Sequence, residues 1–257
     1  MEIVKSLHAD IIKDEQDKKQ EVYQVSTMTA LLDGVYDGDF TLGEIPEHGD
    51  FGIGTFNQLD GELIGFDGEF YRLRSDGTAT PVNENDKSPF CSLTFFETEM
   101  VHRIDRPLTL EELGEELDEI LPSKNVFYAI RVDGAFKKVQ TRTVEAQSKP
   151  YVPMIEAVQT QPIFNFENIE GTIAGFRTPQ YANGIAVAGY HLHFIDKDRS
   201  SGGHVFDFTI ENVTIRICKK QYMNLRLPQT NEFFHADLDR ADLANDIAEA
   251  EGSPEKK

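Results

Sequence analysis

The 257-residue sequence contains no tryptophan, only two cysteines and far fewer basic than acidic residues. Cys91 and Cys218 lie far apart and form no Cys-x-x-Cys pair, which excludes a cysteine-based zinc site and favours two buried free thiols. Lysine and arginine number 25 against 45 aspartates and glutamates, so the formal net charge is −20. A chain this acidic repels phosphate groups, and we therefore expect neither a nucleic-acid nor an anionic-membrane partner.

Long hydrophobic runs are also missing. No segment approaches the roughly 18 consecutive apolar residues of a transmembrane helix, and residues 1–5 do not begin a secretory signal with charged and apolar segments. These features predict a cytoplasmic protein without a membrane partner. Hydrophobic residues nevertheless make up 39% of the chain, which is enough for a sizeable core and excludes general disorder.

Hydrophobic spacing predicts one clear helix and several strands. In segment 109–121, leucines recur at helical spacing with acidic residues between them. A second, shorter helix is expected after Ser26, which would cap it. Alternating segments at 126–132 and 135–144 predict a hairpin that turns at Asp133-Gly134.

Three of the seven histidines lie close together in the sequence. His191 and His193 are two residues apart in a predicted strand, so they point to the same face. If the hairpin that follows is symmetric, residue 193 pairs with 206 and residue 195 with 204, which brings His204 to the same face. Three neutral imidazoles with an open fourth position are typical of catalytic zinc sites. The spacing alone leaves open that His-x-His is incidental and that His204 only caps a turn.

A repeated pattern indicates two halves. Gly-x-[Leu/Ile]-x-Gly-Phe occurs at 61–66 and again at 171–176, although glycine-rich hairpins can resemble each other by chance. We expect an α/β protein of two domains, each built on a mixed β-sheet with few helices. The expected divisions are a flexible N-terminal arm (1–22), an N-terminal α/β domain (23–150), a C-terminal domain with the metal site (151–240) and an acidic C-terminal tail, helical or irregular (241–257).

Several motifs together resemble one family, the acetolactate decarboxylases, which are the metal-dependent enzymes of acetoin formation. The matching motifs are YHLHFI at 190–195 with Gly202-Gly203-His204, GTF at 54–56 with LDGEL at 59–63, and Gln140-Thr141-Arg142. The resemblance is strongest to Bacillus-type members and runs from about residue 22 to about residue 231. It therefore covers most of the chain.

The resemblance implies a substrate, a cofactor and an assembly. The substrate is 2-acetolactate, the products are acetoin and CO₂, and the subunits form a homodimer. Zn²⁺, or another divalent metal, has three implied ligands: His191, His193 and His204. Glu62 is implied to lie close to the metal and Arg142 to contact the substrate. A C-terminal glutamate also belongs to the family's site, and here both Glu249 and Glu251 qualify, with Glu251 as our catalytic candidate.

The chemistry of the reaction gives these side chains roles. Decarboxylation of a 2-hydroxy-3-oxo acid leaves an electron pair that is shared with the ketone as an enediolate, and Zn²⁺ can stabilise this charge as a Lewis acid. A carboxyl group, Glu62 or the C-terminal glutamate, can then protonate the enediolate. Arg142 can hold the substrate carboxylate, and the Thr55 hydroxyl can hydrogen-bond to the substrate.

Two other functions fit the histidines alone. A non-catalytic, β-rich module could hold a structural zinc ion, although such sites usually have four ligands and are rich in cysteine. Another enzyme with three histidine ligands, such as a cupin-type dioxygenase, would usually add a carboxylate at a different spacing and prefer iron.

Overall fold

The computed structural model of the chain describes residues 16–239 and 241–252. In chain order, the strands are β1 (Glu21–Val25), β2 (Phe40–Thr41), β3 (Phe51–Thr55), β4 (Glu62–Phe66), β5 (Glu69–Leu73), β6 (Ala79–Pro81), β7 (Lys87–Ser88), β8 (Cys91–Thr94), β9 (Met100–Ile104), β10 (Leu108–Thr109), β11 (Phe127–Arg142), β12 (Ile163–Thr178), β13 (Gly189–Asp196), β14 (Gly202–Lys220) and β15 (Tyr222–Arg226). The helices are α1 (Met28–Leu32), α2 (Leu110–Ile120), α3 (Met154–Ala157), α4 (Asn231–His235) and α5 (Leu243–Glu251), with 3₁₀ turns at Leu42–Glu47, Asn57–Leu59, Val158–Thr160 and Gln180–Ala182.

The strands form two large sheets. The first is seven-stranded, in the order β15-β1-β8-β3-β4-β5-β6, and it is mixed because β15 runs parallel to β1. The second is six-stranded, in the order β10-β14-β11-β12-β13, with β9 also paired to β14. Strands β2 and β7 form a small separate pair. This arrangement of several sheets with few helices confirms the expected fold class.

The chain passes from the first sheet to the second between β8 and β9 and returns at β15. The expected domain division near residue 150 does not coincide with this passage and stays a prediction. Residues 1–15 of the expected N-terminal arm lie outside the described residues, whereas Glu21 and Val22 already belong to β1. The described part of the expected C-terminal tail forms α5, and residues 253–257 again lie outside the described residues.

The long strand β11 replaces a predicted hairpin. The segment does not turn at Asp133-Gly134 but continues as one strand of 16 residues, so that prediction was wrong. Gly134 has a φ of 147°, a conformation that favours glycine, yet it pairs with Gly171 on one side and Val213 on the other. Continuous pairing with both β12 and β14 therefore outweighs the local turn signal.

The two predicted helices are present. Thr109 caps α2, and its side chain and that of Glu112 form a capping box. In α1 the cap is Thr27, whose hydroxyl accepts the Ala30 N–H, and not Ser26 as predicted. Ser26 has a positive φ of 60°, so it lies in the turn before the helix.

The sheets pack face to face. Phe51 of the first sheet meets Phe176 of the second edge-on, with ring centroids 5.8 Å apart. A separate apolar cluster joins three helices, and it includes Leu31 of α1, Met154 of α3 and Ile247 of α5. Leu31 and Met154 line one cavity together with the last residues of β3 and β11. No helix among the described residues is long and apolar enough to cross a membrane.

Candidate metal and acid site

The histidine hairpin forms with a register that differs from the expected one. His193 pairs directly with His204, and Ile195 pairs with Gly202, so the predicted pairing of 193 with 206 was wrong by two residues. The turn is tighter than expected because the carboxylate of Asp196 accepts both the N–H and the hydroxyl of Ser200. A shift of two residues preserves the face to which each side chain points, and the three histidines therefore still converge.

The convergence is close and buried. The three rings offer nitrogens that all lie within 4.8 Å of one another, and ring centroids are 5.1–5.4 Å apart. Exposure is 9% for His191, 1% for His193 and 4% for His204. Such a group of buried imidazoles facing one point is a donor set that fits a metal ion.

Hydrogen bonds on the outer side of two rings orient the inner nitrogens. His193 Nδ1 lies 2.7 Å from the backbone oxygen of Leu63, and His204 Nε2 lies 3.2 Å from the backbone oxygen of Glu251. Each carbonyl requires a donated N–H, which leaves the other nitrogen of the ring as a lone-pair donor. Those nitrogens, His193 Nε2 and His204 Nδ1, are buried without a hydrogen-bond partner. Unpartnered buried lone pairs are what a metal ion would satisfy.

The charge state of the three imidazole rings also suits metal binding. Burial and the nearby Arg142 guanidinium lower the pKa of His191 to about 3. Burial and the neighbouring charged groups also hold the pKa values of His193 and His204 well below the usual histidine range. All three imidazoles are therefore neutral near pH 7, as metal ligands must be.

Arg142 extends the row of histidines by one strand. It is the last residue of β11 and pairs with His204, so three adjacent strands carry Arg142, His204 and His193 side by side. Gly203 is needed here, because a Cβ at that position would lie 2.4 Å from the backbone oxygen of Arg142. The Arg142 side chain is only 2% exposed.

Two carboxylates flank this guanidinium. Nη1 of Arg142 donates to Glu62 Oε1 at 2.7 Å, and Nη2 donates to Glu251 Oε2 at 3.3 Å. Glu62 begins β4 of the first sheet, and Glu251 ends α5. Their oxygens also approach the histidines, with Glu62 Oε2 3.6 Å from His193 Nε2 and Glu251 Oε2 3.4 Å from His204 Nδ1.

The pKa values of both carboxyl groups are raised by burial. Burial raises the pKa of Glu62 to about 7, with a further contribution from the charge of Glu251, and Arg142 opposes the shift only in part. Burial likewise raises the pKa of Glu251 against the effect of Arg142. One guanidinium cannot neutralise two buried carboxylates, so the pair retains a proton more readily than a solvated glutamate does.

The structure distinguishes the two C-terminal glutamates. Glu251 lies in the site, where its carboxylate faces Arg142 and two histidines. Glu249 lies on the exposed side of α5. Helical periodicity explains the difference, because positions two apart point in different directions on a helix. The acidic sequence alone could not show which of them faces inward.

A small cavity adjoins these groups, and Thr55 lines it. Thr55 is paired across the β3–β4 hairpin with Glu62, and its hydroxyl donates to the backbone oxygen of Gly61 at 2.8 Å. The cavity also has apolar lining residues that the sequence analysis missed: Leu31, Leu59, Phe90, Val144 and Met154. Their only sequence signal is hydrophobicity, which they share with ordinary core residues.

The sequence of the chain is similar to those of one known family. A sequence model of the alpha-acetolactate decarboxylase family matches residues 22–240. The chain belongs to the alpha-acetolactate decarboxylase family. The alpha-acetolactate decarboxylase of Bacillus subtilis (strain 168) is 70% identical over 235 residues, which cover 91% of this chain and 92% of that protein. The protein of the same name from Bacillus licheniformis is 64% identical over 245 residues, or 95% and 97% of the two chains.

A solved structure agrees with these sequences. The crystal structure of alpha-acetolactate decarboxylase from Bacillus subtilis strain 168 has a TM-score of 0.90 at 70% identity, and the match covers 91% of this chain and 100% of that one. The expected resemblance to Bacillus-type acetolactate decarboxylases is thus confirmed. The chain is an enzyme, a carboxy-lyase. This finding argues against both a non-catalytic zinc module and a cupin-type dioxygenase.

Proposed function

We propose that this carboxy-lyase converts 2-acetolactate to acetoin and CO₂. The reaction uses a divalent metal ion, with Zn²⁺ as the first candidate, and the three histidines hold it. The observation that carries the proposal is the convergence of their nitrogens beside a buried arginine and two buried carboxyl groups. The names of the relatives support the substrate.

The donor set fits the metal. Zn²⁺ favours neutral imidazole nitrogens, and three such ligands leave a position open for substrate; other divalent ions can also use this set. When bound, the ion would supply Lewis-acid stabilisation of the negative charge that develops on substrate oxygens. The residues that would hold it are His191, His193 and His204.

Arg142 binds and orients the substrate carboxylate in this proposal. Its Nε is buried without a hydrogen-bond partner, so the guanidinium retains a donor beyond the two that face Glu62 and Glu251. A charged hydrogen bond in a buried site is strong and directional. When the bond between C2 and the carboxylate breaks, CO₂ leaves and the electron pair stays on the substrate as an enediolate.

Glu62 then supplies the proton. Because the pKa of Glu62 is raised to about 7, its carboxyl group can hold a proton near neutral pH and transfer it to C2 of the enediolate. The C–H bond that forms completes acetoin, and water returns a proton to Glu62. Glu251, on the other side of Arg142, is the second candidate acid. Thr55 can accept a hydrogen bond from the substrate hydroxyl while it donates to Gly61.

The direct test is acetoin formation by the purified protein. Acetolactate is added to the zinc-loaded protein, and acetoin is detected colorimetrically before and after treatment with a chelator. We expect acetoin from the loaded protein, little from the chelated protein and recovery when Zn²⁺ is returned. Unchanged turnover after verified removal of all metal would contradict the metal-dependent part of the proposal.

The assembly and location belong to the same proposal. We infer a homodimer in the cytoplasm, on the basis of the family resemblance and of the sequence pattern. Light scattering on the purified protein tests the oligomeric state, and a mass equal to one 29.0 kDa chain would contradict the homodimer.

A further inference from the structure

The cavity beside the histidines is lined by two chemically different sets of side chains. The polar set consists of Arg142, the two carboxyl groups, two of the histidines and Thr55, and the apolar side chains all belong to one core cluster. Among the apolar side chains, Leu31 and Met154 differ from the rest because they lie in helices α1 and α3. Their exposures are only 4% and 3%.

The two residues belong to a packed cluster in which three helices meet. Leu31 and Met154 share this cluster with Ile247 of α5, the helix that also brings Glu251 to the site. Because both side chains are buried in a closely packed cluster, neither has free space to retreat when the cavity is filled. The space beside the apolar side chains therefore has a defined size.

We propose that Leu31 and Met154 set the upper size of the alkyl groups that a 2-hydroxy-3-oxo acid substrate can carry. The inference rests on the proposed function and specifies its substrate class. The carboxylate, hydroxyl and ketone of such an acid require the polar side chains of the cavity, since burial of an unpaired polar group is costly. Its alkyl groups are left to contact the apolar side chains, where each added methylene needs space that these residues now occupy.

The test uses substrates that differ by one methylene. Leu31→Ala and Met154→Ala are compared with wild type on 2-acetolactate and on two homologues, one with an ethyl group at C2 and one with an ethyl ketone. We expect at least one variant to raise the ratio of kcat/KM for an ethyl homologue over that for acetolactate about tenfold or more. One methylene in an apolar pocket commonly changes this ratio by roughly 10- to 200-fold.

Leu32→Ala provides a matched control. Leu32 is the next residue of the same short helix, it is buried in the same cluster, and it does not line the cavity. Its removal disturbs the same helix and cluster but opens no space in the cavity. We therefore expect Leu32→Ala to leave the ratio between substrates unchanged, whatever its effect on stability.

A binding measurement separates this inference from the proposed function. Two acids that lack the ketone and cannot react, 2-hydroxy-2-methylpropanoate and 2-ethyl-2-hydroxybutanoate, are titrated calorimetrically into the zinc-loaded proteins. Leu31→Ala or Met154→Ala should raise the relative affinity of the larger acid about tenfold. If wild type forms no acetoin but the binding ratio shifts, the function fails and the size limit stands. Unchanged ratios in both variants, in turnover and in binding, overturn the inference.

Discussion

Two glutamates of this protein each contact an arginine at the same distance, yet their pKa values shift in opposite directions. Glu44 lies 2.7 Å from Arg226, and Glu62 lies 2.7 Å from Arg142. The pKa of Glu44 is lowered to about 2, whereas that of Glu62 is raised to about 7. The length of an ion pair therefore does not decide whether its carboxyl group carries a proton.

The surroundings account for the difference. Glu44 is 35% exposed; burial opposes its ionisation, but hydrogen bonds from Thr41 and the charge of Arg226 together outweigh that effect. Glu62 is only 7% exposed and shares its arginine with Glu251. A structural ion pair on the surface and a proton-holding site in the interior are thus built from the same residue types.

The first prediction concerns the two glutamates themselves. Glu62→Gln should retain bound zinc but slow acetoin formation by roughly 10²- to 10⁴-fold, the range for loss of a general acid. Glu44→Gln should leave the rate unchanged. The measurement is zinc content together with the rate of acetoin formation in both variants.

Two further properties of Glu62→Gln follow from the same role. If the protonated form of Glu62 is the active one, wild-type kcat/KM falls as pH rises through the pKa of this group, and the variant lacks that decline. The enantiomeric purity of acetoin should also fall, because water would protonate either face. A wild-type rate with unchanged purity would remove Glu62 from the mechanism and leave Glu251 as the acid to test.

The second prediction concerns the two arginines. Arg142→Met leaves two buried carboxyl groups without a counter-charge and should lower the free energy of unfolding by about 3 kcal/mol. Arg226→Met breaks a partly exposed pair and should lower it by no more than about 1 kcal/mol. Urea unfolding at pH 7 measures both values. Equal losses of unfolding free energy in the two variants would contradict the expectation that breaking the buried pair costs more than breaking the partly exposed one.

The third prediction concerns the second carboxyl group of the site. Glu251→Gln removes a like charge next to Glu62, so the pKa of Glu62 should fall and the decline of activity should begin at a lower pH. The variant also alters a contact to two histidines, and zinc affinity should decrease by roughly 10- to 100-fold. Glu249→Gln, on the exposed side of the same helix, should change neither property.

The smallest effect is expected for the pH dependence of stability at Glu44. Its pKa lies below the ordinary value of 4.5, so its contribution is fully present above that pH and is lost as pH falls towards 2. Glu44→Gln should therefore reduce stability by about 1 kcal/mol at pH 6, the usual value of a capping residue, and by progressively less in acid. A stability difference between wild type and Glu44→Gln that grows as pH falls would contradict the lowered pKa of Glu44.

The structure brings together the side chains that the sequence analysis named, but the strand pairing that does so differs from the expected one. Two-residue spacing placed His191 and His193 on one face, and this survived the register error because strand side chains alternate with a period of two. The pairing of Arg142 with His204 could not be predicted, because it depends on β11 running straight through Asp133-Gly134. Local turn signals carry no information about the two strands that hold this segment extended.

The roles of the two carboxyl groups could not be predicted from the sequence for a different reason, because they depend on tertiary structure. Glu62 and Glu251 come from a strand and a helix that are distant in sequence, and the burial that raises the pKa of both arises only where these elements pack together. The apolar lining of the cavity was likewise not predictable, since Leu31 and Met154 have the same hydrophobic character as core residues. What the family resemblance supplied was the identity of the polar residues.

The central claim is that the three histidines hold the metal on which acetoin formation depends. The most direct test is the metal content and acetoin formation of His193→Ala beside His102→Ala. His102 pairs with Glu116 on α2, outside the cavity, and its variant should match wild type in both properties. We predict that His193→Ala loses stoichiometric zinc and acetoin formation together. One zinc ion per chain with wild-type turnover in His193→Ala would contradict the account.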